Sequence, residues 1–114
     1  MTETPATPFT AAMVQMRTAM HPEASLAEGI RLIREAKDKG ADYVQTPEVS
    51  NIIQQNRKAL FEILAAEEDD LSLKAYRELA SELKIYLHIG SLAVRATPER
   101  AVNRSVLIAP DGGI

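Results

Sequence analysis

LIREAKDKGADYVQTPE, residues 32–48, holds a helix end, a turn and a strand in one short run. Leu32, Ile33 and Ala36 close an apolar stripe that Leu26, Ala27 and Ile30 begin at helical spacing. Lys37 and Lys39 fall in the last turn, where cations complement the negative end of the helix dipole. Gly40 then offers the left-handed residue that commonly stops a helix. Asp42 to Thr46 (DYVQT) is β-prone and runs into Pro47. Proline donates nothing to a ladder and biases its predecessor toward extended backbone, so the strand is expected to end near Thr46. Glu48 lies just past that end, where the loops of a sheet with helical crossovers carry functional side chains.

Toward the N-terminus, Pro22 suits a first helical turn, because its missing N–H would have no partner there. His21 reads as part of that helix entry. Residues 9–16 (FTAAMVQM) form an apolar run of strand length, and residues 1–8 read as a flexible lead-in. Strand, helix and strand in this order imply parallel neighbours joined by a crossover. Toward the C-terminus, Leu60, Phe61 and Leu64 mark a short helix, and Leu73, Tyr76, Leu79, Ala80 and Leu83 mark another. The acidic run Glu67-Glu68-Asp69-Asp70 is read as a solvated helix start rather than a metal site, with Asp69 or Asp70 as the cap. Lys84 stands where a helix-ending glycine is common, which predicts a less tidy end. Residues 85–94 and 102–109 read as two strands, with Thr97-Pro98-Glu99 turning one into the other. Pro110-Asp111-Gly112-Gly113 is a further hairpin signal. The expected order is β-α-β-α-β-β, an α/β (α+β) class.

The 114 residues are one small domain, with 46% hydrophobic and 25% charged residues, enough apolar material for one core. A net charge of −3 gives no attraction for a polyanion, which argues against nucleic acid as a partner. There is no cysteine, so disulfides, thiolate metal sites and thiol nucleophiles are excluded within the chain. The apolar runs are strand-length, and MTETPATPF lacks a basic segment leading into an apolar one. Neither a membrane span nor a signal peptide is expected, and a cytoplasmic location is the default.

Isolated, a glutamate after proline is a surface charge. Its surroundings say more. AAMVQM, then a proline-led helix closing on GAD, a strand and PE, then IYLHIGSL and NRSVLIAPDGGI, match in order the opening of nitrilase-like hydrolases. The chain thus resembles the N-terminal portion of the nitrilase superfamily of carbon–nitrogen hydrolases over residues 9–114. The resemblance implies the N-terminal half of a four-layer α-β-β-α sandwich and a Glu-Lys-Cys catalytic set without metal or organic cofactor. It puts Glu48 in the place of the general base toward the cysteine. It implies a small amide or nitrile substrate, amides ahead of nitriles, and homo-oligomers in the full-length enzyme. The family's lysine lies in a Tyr-x-Lys-x-His segment after the Pro-Asp-Gly turn and its cysteine later still, so both are expected outside residues 9–114. Lys37, Lys39, Lys58, Lys74 and Lys84 do not match that segment. The expectation is a partial domain, inactive alone.

Several departures and polar residues bear on that reading. Gln45-Thr46 is polar where the family is apolar, and is read as a solvent-facing strand end rather than a polar lining. His88 is read as a hydrogen-bonded strand residue, not a ligand, and Asn103 as a side-chain amide that holds nearby backbone. Met13, Met16 and Met20 read as packing. The competing function is a non-catalytic α/β binding or oligomerisation module; a receiver-like or flavodoxin-like domain would want acids at several strand ends, and only Glu48 is so placed.

Overall fold

The computed structural model describes residues 7–114, so most of the lead-in expected over residues 1–8 lies outside the described residues. The elements run β1 (Ala11–Met13), α1 (Pro22–Asp38), β2 (Tyr43–Gln45), α2 (Arg57–Ile63), a 3-10 turn (Glu67–Asp69), α3 (Leu71–Leu83), β3 (Tyr86–Thr97) and β4 (Arg100–Ile108). The β-α-β-α-β-β order holds, with two helices in the second crossover. β1, β2 and β3 are parallel neighbours and β4 returns antiparallel, giving a four-stranded sheet in sequence order.

That order fixes where the helices go. Successive right-handed crossovers that step across a sheet in one direction lay their helices on the same face. α1 and α3 accordingly share one core with the sheet: Ile33 and Ala36 of α1, Leu73, Tyr76, Leu79 and Ala80 of α3, and Val44, Leu87, Ile89, Val106 and Ile108 of the strands. Fully burying each of the larger side chains is worth about 1.5–3 kcal/mol. Side chains alternate along strands, so the neighbours of these residues face the other way. Met13, Gln45, His88 and Leu107 form one cross-strand row on that second face. No helix covers it. A smaller cluster of Ile52, Leu64 and Ala93, with Leu60 and Phe61 of α2, packs at the far end of the β3–β4 hairpin.

The helix ends follow their sequences. His21 is the N-cap of α1 without a side-chain bond, and Pro22 begins the helix. Gly40 (φ +96°) closes it, with Gly40 N–H donating to Lys37 O at 2.9 Å and Ala41 N–H to Ala36 O at 3.1 Å. Of the two candidate caps of α3 it is Asp70 that serves, accepting from Leu73 N at 2.8 Å.

β1 is shorter than the expected strand over residues 9–16. Among the described residues it pairs with β2 alone, and β2 is three residues long because Thr46-Pro47 ends it. A strand whose single neighbour is short has nothing further to bond to, though Val14 N–H still reaches Gln45 O at 3.0 Å. Met16 is buried as expected, but Met13 and Met20 are exposed, so packing is the wrong description of those two. The final turn forms, Ala109 N–H donating to Gly113 O at 2.8 Å. No helix among the described residues is long and apolar enough to cross a membrane.

Candidate active site

The ladder between β2 and β3 ends with Thr46 N–H donating to His88 O at 3.0 Å. Beyond it the chain turns through Pro47, Glu48 and Val49, and Val49 takes a left-handed φ of +46°. For a β-branched residue this conformation costs roughly 1–3 kcal/mol and persists only where the surroundings hold it.

The surroundings here are residues 90–93 of β3. Gly90 N–H donates to Thr46 Oγ1 at 3.1 Å, and Ser91 N–H to Pro47 O at 3.4 Å. Val49 N–H donates to Ser91 Oγ at 2.7 Å. Ser50 gives its N–H (2.9 Å) and its hydroxyl (3.2 Å) to Ser91 O. Asn51 closes a two-way bond with Ala93, Nδ2 to O at 2.8 Å and N–H to Oδ1 at 2.9 Å. β3 can offer these groups because its pairing with β4 shifts register between Ile89 and Leu92. Gly90 is required by the approach: a Cβ there would lie 2.5 Å from Thr46 O and 2.6 Å from Pro47 O, which are backbone atoms.

Every residue of the turn 46–51 is tied to β3 except Glu48. Its side chain is exposed at the carboxyl end of β2, and among the described residues it belongs to no salt bridge. A free carboxylate on a rigid turn is a competent general base once a nucleophile is brought within about 3 Å. The chain itself carries no cysteine to be that nucleophile. The next concavity is lined by Val49, Ile52, Leu60, Ala93 and Asn103, and Glu48 is not part of its lining. A larger concavity, between α3 and the C-terminal turn around Lys74, Arg77 and Glu78, includes no residue of the turn 46–51.

Three polar residues stand differently from their sequence reading. Thr46 is 1% exposed and bonds the Gly90 amide, so it is an internal polar group and not a solvent-facing strand end; Gln45 is half-buried. Asn103 is exposed, and the amide that holds backbone is that of Asn51. Asn51 carried no signal in the sequence, since its partner Ala93 offers only backbone. His88 is a hydrogen-bonded strand residue as expected, its Nδ1 at 2.7 Å from Tyr43 Oη and its Nε2 at 3.1 Å from Ser105 Oγ.

The family model described as carbon-nitrogen hydrolase matches residues 10–114, nearly the whole chain. The chain belongs to the carbon-nitrogen hydrolase family. No curated protein matches its sequence. Among solved structures it is similar to the C. elegans NitFhit protein, at 25% identity and TM-score 0.69 over 83% of this chain and 24% of that one. An amidase from Nesterenkonia sp. matches at 22% identity and TM-score 0.72, covering 90% of this chain and 38% of the amidase. Saccharomyces cerevisiae Nit3, a member of branch 10 of the nitrilase superfamily, matches at 21% identity and TM-score 0.75, covering 91% and 41%. The carbon-nitrogen hydrolase chain thus spans from about a quarter to two fifths of the length of these structures, and its four-stranded sheet with α1 and α3 on one face is a part of their fold.

Proposed function

We propose that this chain supplies the general base, Glu48, of a hydrolase that cleaves non-peptide carbon–nitrogen bonds in small amides or nitriles. The cysteine and lysine of the Glu-Lys-Cys set come from outside residues 1–114. Glu48 takes the thiol proton, the thiolate attacks the amide carbon, and the lysine stabilises the oxyanion. The protonated Glu48 returns its proton to the departing amine. Glu48 then deprotonates the water that cleaves the thioester, releasing the carboxylic acid and the free thiol. The observation that carries the reading is that, among the described residues, Glu48 alone in the turn 46–51 makes no bond to β3 while its neighbours are fixed there. The 114 residues by themselves turn over no amide; the complete enzyme is a cytoplasmic homo-oligomer.

The test reads the gene past codon 114 and assays the encoded polypeptide on primary amides and nitriles. An in-frame Tyr-x-Lys-x-His segment followed by a cysteine is expected, with kcat falling by about 10²–10⁴ in Glu48→Gln. Turnover unchanged by Glu48→Gln overturns the proposal. So does amide hydrolysis by the 114 residues alone. A second reading, a non-catalytic binding or oligomerisation module, draws on the exposed Met13, Tyr86 and Leu107 of the uncovered sheet face. A stop codon directly after Ile114, with well-behaved protein, favours it.

A further inference from the structure

We propose that Ser91 is a positioning residue for Glu48, acting through the Val49 peptide; this rests on the reading of Glu48 as general base. The bond from Val49 N–H to Ser91 Oγ, 2.7 Å, is the shortest that the turn 46–51 makes to β3. It falls on the one residue of that turn with a left-handed φ. Ser50 and Asn51 are anchored to β3 by bonds of their own. A return of Val49 to negative φ is therefore taken up on its N-terminal side, by the peptide that joins it to Glu48. That rotation re-aims the carboxylate. The Ser91 hydroxyl opposes it directly, by accepting the hydrogen of that same peptide.

Ser91 is 5% exposed and bonded into the turn, so it reaches neither substrate nor nucleophile. Its neighbour Gly90 has the complementary part: without a Cβ it lets Thr46 and Pro47 come close enough for the Ser91 hydroxyl to reach the Val49 amide. Glycine and serine in succession thus act as one clamp, the first by absence of bulk and the second by its hydroxyl.

The experiment uses the polypeptide of the Glu48→Gln assay. Ser91→Ala is expected to lower kcat about ten- to hundredfold, the scale on which misplacing a catalytic group by an ångström acts. KM stays within about twofold, because uniform substrate binding is untouched. Val49→Gly added to Ser91→Ala is expected to restore roughly tenfold of the loss, since glycine holds a left-handed φ without help. A general loss of structure would not be repaired by a glycine. Wild-type kcat in Ser91→Ala, with Glu48→Gln inactive, overturns the clamp and leaves the base standing. A double variant no better than Ser91→Ala overturns the route through Val49. Wild-type kcat in Glu48→Gln overturns both readings. Hydrogen exchange on the unsubstituted chain covers the case of a Ser91→Ala protein that does not fold. There the Val49 amide is expected to be protected, and exchange at the rate of an open loop overturns the clamp.

Discussion

Asp70 is buried at the start of α3, where its carboxylate accepts from Leu73 N–H at 2.8 Å. Burial pushes its pKa up from the ordinary 3.8, against the lowering effect of the Leu73 and Ser72 amides and the Asn51 side chain; Glu67 pushes in the same direction as burial. A carboxyl whose folded pKa is raised binds its proton more tightly in the fold than in the unfolded chain. Its contribution is therefore greatest below pH 3.8 and declines as pH rises through the folded value, after which it is flat. Asp70→Asn keeps the cap, since asparagine serves as well as aspartate there, and removes the buried charge. In urea melts the variant is expected to match or exceed the wild type at pH 7, and to lose that advantage as the pH falls through the carboxylate range. Asp70→Ala, which removes the cap, is expected to cost about 1 kcal/mol at pH 7. An Asn variant clearly weaker than wild type at neutral pH would mean that the charge, through the helix dipole, outweighs its burial.

At the scale of elements, the two long helices end by similar geometry with different residues. α1 closes on Gly40 at φ +96°, and α3 closes on Lys84 at φ +56°, with Ile85 N–H donating to Ala80 O at 3.2 Å. The lysine pays a steric cost that the glycine does not, because its Cβ crowds the carbonyl in the left-handed well. Lys84→Gly is expected to raise stability by about 0.5–1 kcal/mol, read as a higher urea midpoint at unchanged slope. A lower midpoint would show that the lysine side chain contributes more than its backbone strain costs. These helix ends, the crossovers and the hairpin were legible because each depends on residues close in sequence: Pro22, Gly40, Pro47 and Pro98 act on their own backbone. The length of β1 was not, since it depends on how soon β2 stops. Within the site, Glu48 was placed by Pro47 beside it and by family resemblance, whereas the bonds that hold its turn join residues about 42 apart. Asn51 and Thr46 look like any loop polar residues until β3 is laid beside them. Asn103 was misread for the same reason, as the motif that contains it carries no record of which way its side chain faces.

The whole molecule is two-sided. α1 and α3 bury one face of the sheet, and the other, away from α2, presents Met13 at 84% exposure, Tyr86 at 50% and Leu107 at 51%. The outer edge of β1 adds backbone groups with no strand partner among the described residues, because there β1 pairs with β2 alone. Apolar side chains beside an open strand edge favour self-association, and the polar cluster of Tyr43, His88 and Ser105 in the middle of the face only partly interrupts them. A 114-residue polypeptide expressed alone is therefore expected to associate with rising concentration, visible in sedimentation velocity. Tyr86→Lys combined with Leu107→Lys is expected to shift it toward monomer, because lysine on an exposed sheet surface opposes association. The same pair is expected to change unfolding stability by no more than about 0.5 kcal/mol per site, since neither side chain belongs to the core beneath the helices. A large loss of stability in the monomer would show that this face is packed within the chain and not open. Association undiminished by the two lysines would move the sticky surface elsewhere, to the outer edge of β1 or to the groove beside α3.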